Sequence, residues 1–308
     1  MSGLPPGVIL AEGVPWQHLR IVTPLGIRFR DIALEAPITH GLVTFVKPRW
    51  STHPPSRVGT NASGVFGFHG LVGLHDFEYP QDLEPLFASP PDARPFVVMV
   101  ADPLGRFLPA IFGIDLPLVG PASPPTIDLD PDPAPVLDAF LFTAPTRAVT
   151  CEFATIRADL WDLDRQAPAA HARVRVTVGN RSRLGIADER GRLLVLIPSP
   201  VLERLRLGSP PGLGQDPPSS QVFPVTFDVW HRPDLPRPFE SPEALPEPWR
   251  VLPGLKGILE HPDRAFIWPS PVGPPVQTWT GTWTHGRELI VRTTTQSELW
   301  ISRGASPP

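Results

Sequence analysis

The sequence predicts an all-β protein made of two β-sandwich domains joined by a proline-rich linker. Three observations carry that prediction. Prolines number 45 in 308 residues, about three times the usual share, and each fixes φ and removes a backbone donor, so long helices are disfavoured throughout. Apolar residues make up 41% and charged residues 19% of the chain, enough to bury a core. Several segments alternate with period two, as a strand with one buried face does. The length, at about 150 residues per domain, points to two domains. Helix bundles, coiled coils, TIM barrels and doubly wound α/β folds fit none of this.

The expected organisation is an N-terminal arm (1–22), a first sandwich (23–118), a Pro/Asp-rich linker (119–137), and a second sandwich (138–303) with long loops and a C-terminal hairpin. Four windows lack proline, 56–79, 146–167, 169–197 and 276–306, and paired sheet is expected there. Phe96 to Val100 and Leu193 to Ile197 are continuous apolar runs, suited to strands covered on both faces. In Arg173-Val174-Arg175-Val176-Thr177-Val178 the valines share one face, which predicts a half-buried antiparallel strand. The linker VGPASPPTIDLDPDPAP is stiff and has no apolar face. Stretches 208–220 and 233–254 read as long loops. Short helical turns fit 200–205, with Ser199 as cap, and 241–245. Segments 277–284 and 287–292 flank His285-Gly286, and Gly286 can take positive φ, so a tight hairpin is expected.

The chain also repeats itself. Asp31, Pro37 and His40 recur as Asp162, Pro168 and His171 at an offset of 131. A small residue follows each histidine, then a strand carrying Val43 and Phe45 in one copy and Val174 and Val176 in the other. Further on, Gly64 and Phe96 recur as Gly191 and Phe223 at an offset of 127. Repeated supersecondary spacing reads as a repeated domain. The second copy runs from a strand ending in Asp162, through Pro168-Ala169-Ala170-His171-Ala172, into a Val-x-Val strand and then Asp188-Glu189-Arg190-Gly191 before Arg192-Leu193. This pattern resembles the transthyretin-like, or carboxypeptidase regulatory-like, immunoglobulin-type sandwich. The resemblance covers about 23–117 and 150–232 and implies a fold, not an activity. The first copy departs from it, with Asn61-Ala62-Ser63-Gly64 in place of Asp-x-x-Gly. The stretches SGVFGFHGLVGLHDFEYP, RPFVVMVADPLGRFLPAIF, LWDLD and ADERGRLLVL are together similar to accessory proteins of phage-tail-like contractile injection clusters. That resemblance implies a non-catalytic part of a large bacterial assembly.

The formal charge is −4, against a nucleic-acid binder. Lys47 and Lys256 are the only lysines among 27 basic residues. Arginine dominance reflects a GC-rich genome first and interface preference second. Cys151 is the sole cysteine, which excludes an intramolecular disulfide and a thiolate metal cluster. No apolar run approaches the roughly 18 residues of a membrane span, so membrane insertion is not expected. No basic n-region precedes the first apolar stretch, so no signal peptide is expected. The chain is expected in the cytoplasm or within an assembled or released particle.

No phosphate loop, dinucleotide fingerprint, nucleophile elbow or zincin motif occurs. His40 and His171 read as strand-start histidines that bond a loop, ahead of a shared ligand site. His69, His75 and Asp76 could form an acid–base pair but fit a solvated loop better. Asp128, Asp130 and Asp132 alternate as in a calcium loop, yet the glycine and closing glutamate are missing. Asp102-x-x-Gly105-Arg106 and Asp188-x-x-Gly191-Arg192 suit turns in which Asp caps backbone donors. Asn61 and Asn180 begin sequons that matter only in a secreted eukaryotic protein. No catalytic, cofactor or metal residues are assigned. Trp279, Trp283 and Arg287 are the candidate interaction residues. The two tryptophans share a strand face about 13 Å apart. Exposed, they would stack on a sugar or anchor a partner; buried, they are core. The expected function is a non-enzymatic structural or adaptor component that binds other protein subunits. The alternative is a carbohydrate-binding or adhesin module with a glycan partner.

Overall fold

A computed structural model describes residues 23–51, 54–61, 63–79, 92–117, 136–200, 221–238, 245 and 249–305. The expected arm, the three linker aspartates, most of 200–205 and 241–245, and the stretch 208–220 lie outside the described residues. The regular structure of the described chain is nearly all strand, arranged as two sets of sheets.

The first set holds β1 (Leu25–Asp31), β2 (Val43–Pro48), β3 (Ser56–Val58), β4 (Val65–Phe68), β5 (Arg94–Ala101), β6 (Ala110–Leu116) and β7 (Val136–Leu141). A one-turn helix, α1 (His75–Glu78), follows β4. One sheet has the order β4-β1-β7 and the other β3-β2-β5-β6. Leu25, Ile27 and Phe29 alternate inward along β1 and meet Phe66, Phe68, Phe96, Val98 and Val100 in one apolar cluster. Phe29 and Phe66 pack edge to face with centroids 5.0 Å apart, a geometry the ring quadrupoles favour.

The second set holds β8 (Phe153–Asp162), β9 (Ala167–Pro168), β10 (Arg173–Val178), β11 (Arg181–Ile186), β12 (Arg192–Pro198), β13 (Val222–Trp230), β14 (Phe266–Trp268), β15 (Thr278–Thr284), β16 (Glu288–Ile290) and β17 (Leu299–Ser302). A short helix, α2 (Leu255–Glu260), precedes β14. One sheet runs β11-β10-β13-β15; the other runs β12-β8-β17-β14, with β16 and β9 also on β8. The three β10 valines are fully buried against Val225, Phe227, Val229 and Trp283, and β10 pairs antiparallel on both sides as expected.

The two sets share one plan. β1, β2, β3, β4, β5 and β6 correspond in sheet position to β8, β10, β11, β12, β13 and β15. In each, a late strand pairs parallel with the first: β7 on β1, and β16 and β17 on β8. The turn chemistry repeats atom for atom. Asp31 Oδ1 accepts Ala33 N–H at 2.8 Å and Asp162 Oδ1 accepts Asp164 N–H at 2.9 Å. Arg30 bridges Pro37, and Trp161 pairs with Pro168. Glu35 and Gln166 both take positive φ, at 57° and 52°. Asn61 Oδ1 accepts from Ser63 and Val65 N–H, and Asp188 Oδ1 from Arg190 and Arg192 N–H. Asn61 thus supplies the same two backbone acceptor bonds as Asp188, because the turn needs an acceptor and not a charge, and lacks only the pairing with an arginine that Asp188 makes.

Three expectations need correction. The sequence places residues 136–141 at the linker's end and the second domain's start, yet they form β7 in the sheet of β1. Val43 and Phe45 do not match Val174 and Val176. Thr44 and Val46 face the first core, since they pair with Val100 and Val98, while Phe45 faces outward onto Trp249, 5.5 Å away. The strand is one residue out of step with its counterpart, which exchanges its faces. Both faces carry apolar cover, so alternation could not distinguish them. The segments around His285-Gly286 are strands, but not a hairpin. β15 pairs with β13 and β16 pairs with β8 in the opposite sheet. Gly286, at φ 73°, turns the chain across the sandwich because Trp283 and Leu289 both point into the core between the sheets.

Candidate functional site

The predicted interaction residues separate. Trp283 is 1% exposed and donates its Nε1–H to the Arg287 carbonyl at 2.6 Å. Trp279 is half-buried on the same core-facing side, its ring over Gly281. Only the Arg287 side of this trio is exposed. The outer face of β15 carries Thr278, Thr280, Thr282 and Thr284 instead.

The other candidates behave as turn and surface groups. Asp102 caps Leu104 and Arg106 N–H and binds the Arg106 guanidinium at 2.9 Å. Burial pushes its carboxyl up, but the Arg106 side chain and these backbone donors outweigh that and hold it below the usual carboxylate range. Asp188 binds Arg192 in the same way. His75 and Asp76 are solvent-exposed and 3.7 Å apart, while His69 contacts the Thr23 hydroxyl at 3.2 Å. His40 sits beside Thr39, exposed.

A polar cleft that local motifs did not reveal lies beside His171. A cavity of about 230 Å³ is lined by Asp162, Arg165, His171, His231, Arg232 and Arg237, among others. The β8 end supplies Asp162, the turn after it Arg165, and the β13 end His231. His231 is 5% exposed. Its Nε2 lies 3.2 Å from Asp162 Oδ2, and its Nδ1 is buried without a partner among the described residues. Arg165 holds Asp234 through both carboxylate oxygens, at 2.6 and 2.8 Å. Arg232 lies 3.6 Å from Asp263. Burial pushes the pKa values of His171, His231 and His261 down; for His231 this outweighs the opposing pull of Asp162. The cleft is therefore floored by neutral imidazoles and rimmed by guanidinium groups, a chemistry that suits a carboxylate or other small anion. Among the described residues no serine, threonine, cysteine, lysine or tyrosine lines it, and no metal-binding cluster occurs.

The repeat explains the dyad. Asp31, the counterpart of Asp162, uses one oxygen for the turn and offers the other to Arg147 at 2.6 Å. Asp162 does the same with His231. In both units the carboxylate fastens the end of the first strand to a later cation or imidazole, a structural task. The signal for His231 was available only as a residue one step past a strand of the repeat.

A second cationic feature surrounds Trp230. The guanidinium groups of Arg173, Arg175 and Arg264 lie 4.7, 5.1 and 5.8 Å from its ring, and Arg264 also pairs closely with Asp228.

No family model matches this chain, and no curated protein does. Among solved structures it is similar to the shaft pilin SpaA of Lactobacillus rhamnosus GG, with 7% identity, a TM-score of 0.21, and coverage of 92% of this chain and 98% of that one. The minor pilin GBS52 of Streptococcus agalactiae gives 7% identity at a TM-score of 0.22, covering 92% of this chain and 98% of that one. A C-terminal fragment of the pilus adhesin SpaC of Lactobacillus rhamnosus GG gives 7% identity and 0.20, covering 90% and 95%. These similarities are distant, too loose to bear on what this chain does.

Proposed function

We propose that this chain is a non-enzymatic structural or adaptor component of a multiprotein bacterial assembly, with a phage-tail-like contractile injection particle as the specific setting. The observation that carries the reading is the doubled unit. One sandwich plan occurs twice, and the aspartate that closes its first strand, Asp31 or Asp162, fastens the following turn in the same way in both copies. The polar cleft beside His171 offers charge and imidazole, and among the described residues its one carboxylate, Asp162, is engaged by a turn and by His231. Rigid, turn-locked sandwiches with arginine-rich faces suit docking against other subunits. The glycan alternative loses the feature it stood on, since Trp283 lies within the core. Affinity purification of the tagged chain from its native host tests the proposal. Co-recovery of sheath, tube or baseplate subunits is the expected result; recovery of the chain alone overturns it.

A further inference from the structure

The edge of the β11-β10-β13-β15 sheet points to a partner. Pro224 accepts a bond from Gly179 N–H on the β10 side, and Gln221 accepts one from His285 N–H on the β15 side. Backbone groups alternate in direction along a strand. Phe223, Val225 and Phe227 therefore bond Trp283, Gly281 and Trp279, and the backbone groups of Thr278, Thr280 and Thr282 point away from the sheet. Among the described residues nothing bonds those outward groups. Several other sheet edges are blunted, as edges usually are. β3 has three residues and includes Arg57; β11 carries Arg181 and Arg183; β7 carries Asp138; β14 has three residues; β6 carries Asp115 and lies against α2. β15 has seven residues, no charge and no proline.

Its sequence, Thr-Trp-Thr-Gly-Thr-Trp-Thr, reads the same in both directions about Gly281. We propose that β15 is a self-association edge, pairing antiparallel with β15 of a second copy about a two-fold axis at Gly281. This deepens the structural-component reading, and rests on it for a purpose, by naming one partner. In this register Thr280 faces Thr282 of the second copy and Thr278 faces Thr284, so outward-pointing groups meet one another. A shift by one residue would set them against inward-pointing ones. An isologous contact needs a self-complementary patch, and a palindromic edge is one. Threonine pairs across strands are favourable. At the axis Gly281 adds no side chain to either face, and its core face is covered by the Trp279 ring. The result is one sheet continuous through both copies.

Sedimentation velocity of the purified full chain across the micromolar range tests this. The expected result is a concentration-dependent dimer. Thr280→Pro removes only an outward N–H, which an edge strand tolerates, and is expected to abolish the dimer while leaving the circular dichroism unchanged. Thr282→Lys places ammonium groups on both sides of the axis and should do the same. In a Cys151→Ser background, Thr280→Cys mixed with Thr282→Cys should form a disulfide-linked pair on oxidation, and neither alone should. A monomer at every concentration overturns the proposal. So does a dimer indifferent to Thr280→Pro and Thr282→Lys, or cross-linking by either cysteine variant alone. These results concern purified protein only, so they fail or succeed apart from the recovery of other subunits from the host.

Discussion

Trp283 shows how one side chain decides between two readings of a strand. Its ring fills the second core and its Nε1–H meets the Arg287 carbonyl. Trp283→Ala should cost about 3–5 kcal/mol, read as a fall in the urea midpoint, and a loss within error of zero would remove it from the core. The buried histidines set a second expectation. Burial holds the folded pKa values of His171, His231 and His261 below the ordinary 6.5. Below about pH 6.5 the unfolded chain binds protons there that the folded chain does not. Their contribution is therefore fully present at neutral pH and falls as the pH drops through 6.5. The urea midpoint should decline from pH 7.5 to 5.5, and His171→Asn combined with His261→Gln should flatten that decline. A midpoint that rises on acidification contradicts the downward shift of these imidazoles.

At the scale of the element, the turns are where the chain is least free to change. Gly191 sits at φ 75°, and a Cβ there would collide with the Leu160 carbonyl and crowd Ala169 N and Pro168. Gly191→Ala should therefore cost about 2 kcal/mol or more. Gly286 has a similar φ but open space around it, so Gly286→Ala should cost only about 1 kcal/mol. Paired denaturation curves check the contrast; equal losses would show that φ alone matters. These same turns were the most legible part of the sequence. Asp31, Pro37, Asn61 and Gly64, with their partners at Asp162, Pro168, Asp188 and Gly191, mark places where local chemistry fixes local geometry. Strand partnership was not legible in that way. β16 crosses to β8 because Trp283 and Leu289 fill the space between the sheets, which no neighbouring residue announces. The face of β2 was hidden because Phe45 is covered from far along the chain. His231 joins Asp162 only through the fold.

In the whole molecule the two units are more than tandem. Leu245, Trp249 and Leu252, from the stretch between β13 and α2, pack on Val97, Met99 and Ile111 across the outer face of the β2-β5-β6 sheet. Trp249 donates its Nε1–H to the Val100 carbonyl at 3.2 Å. Ala33 packs on Leu194 and Leu196, and Phe142, Ile186 and Ile258 form another shared cluster. A proline-rich stretch that reads as loop thus acts as a strap. Trp249→Ala should destabilise by about 3 kcal/mol and expose the first unit to limited proteolysis before the second. A fragment spanning 1–150 keeps β7 but leaves the outer face of β5 bare, and it should aggregate or melt well below the full chain. A fragment as stable as the parent would show that the strap is incidental.

That strap bears on how the polypeptide matures. Translation delivers the strands of the leading sandwich early, but their apolar cover is encoded beyond Trp230. At about 5–20 residues per second, the nascent chain spends several seconds with Val97, Met99 and Ile111 open to water while the ribosome finishes the trailing half. Holdase chaperones would find their target in that interval.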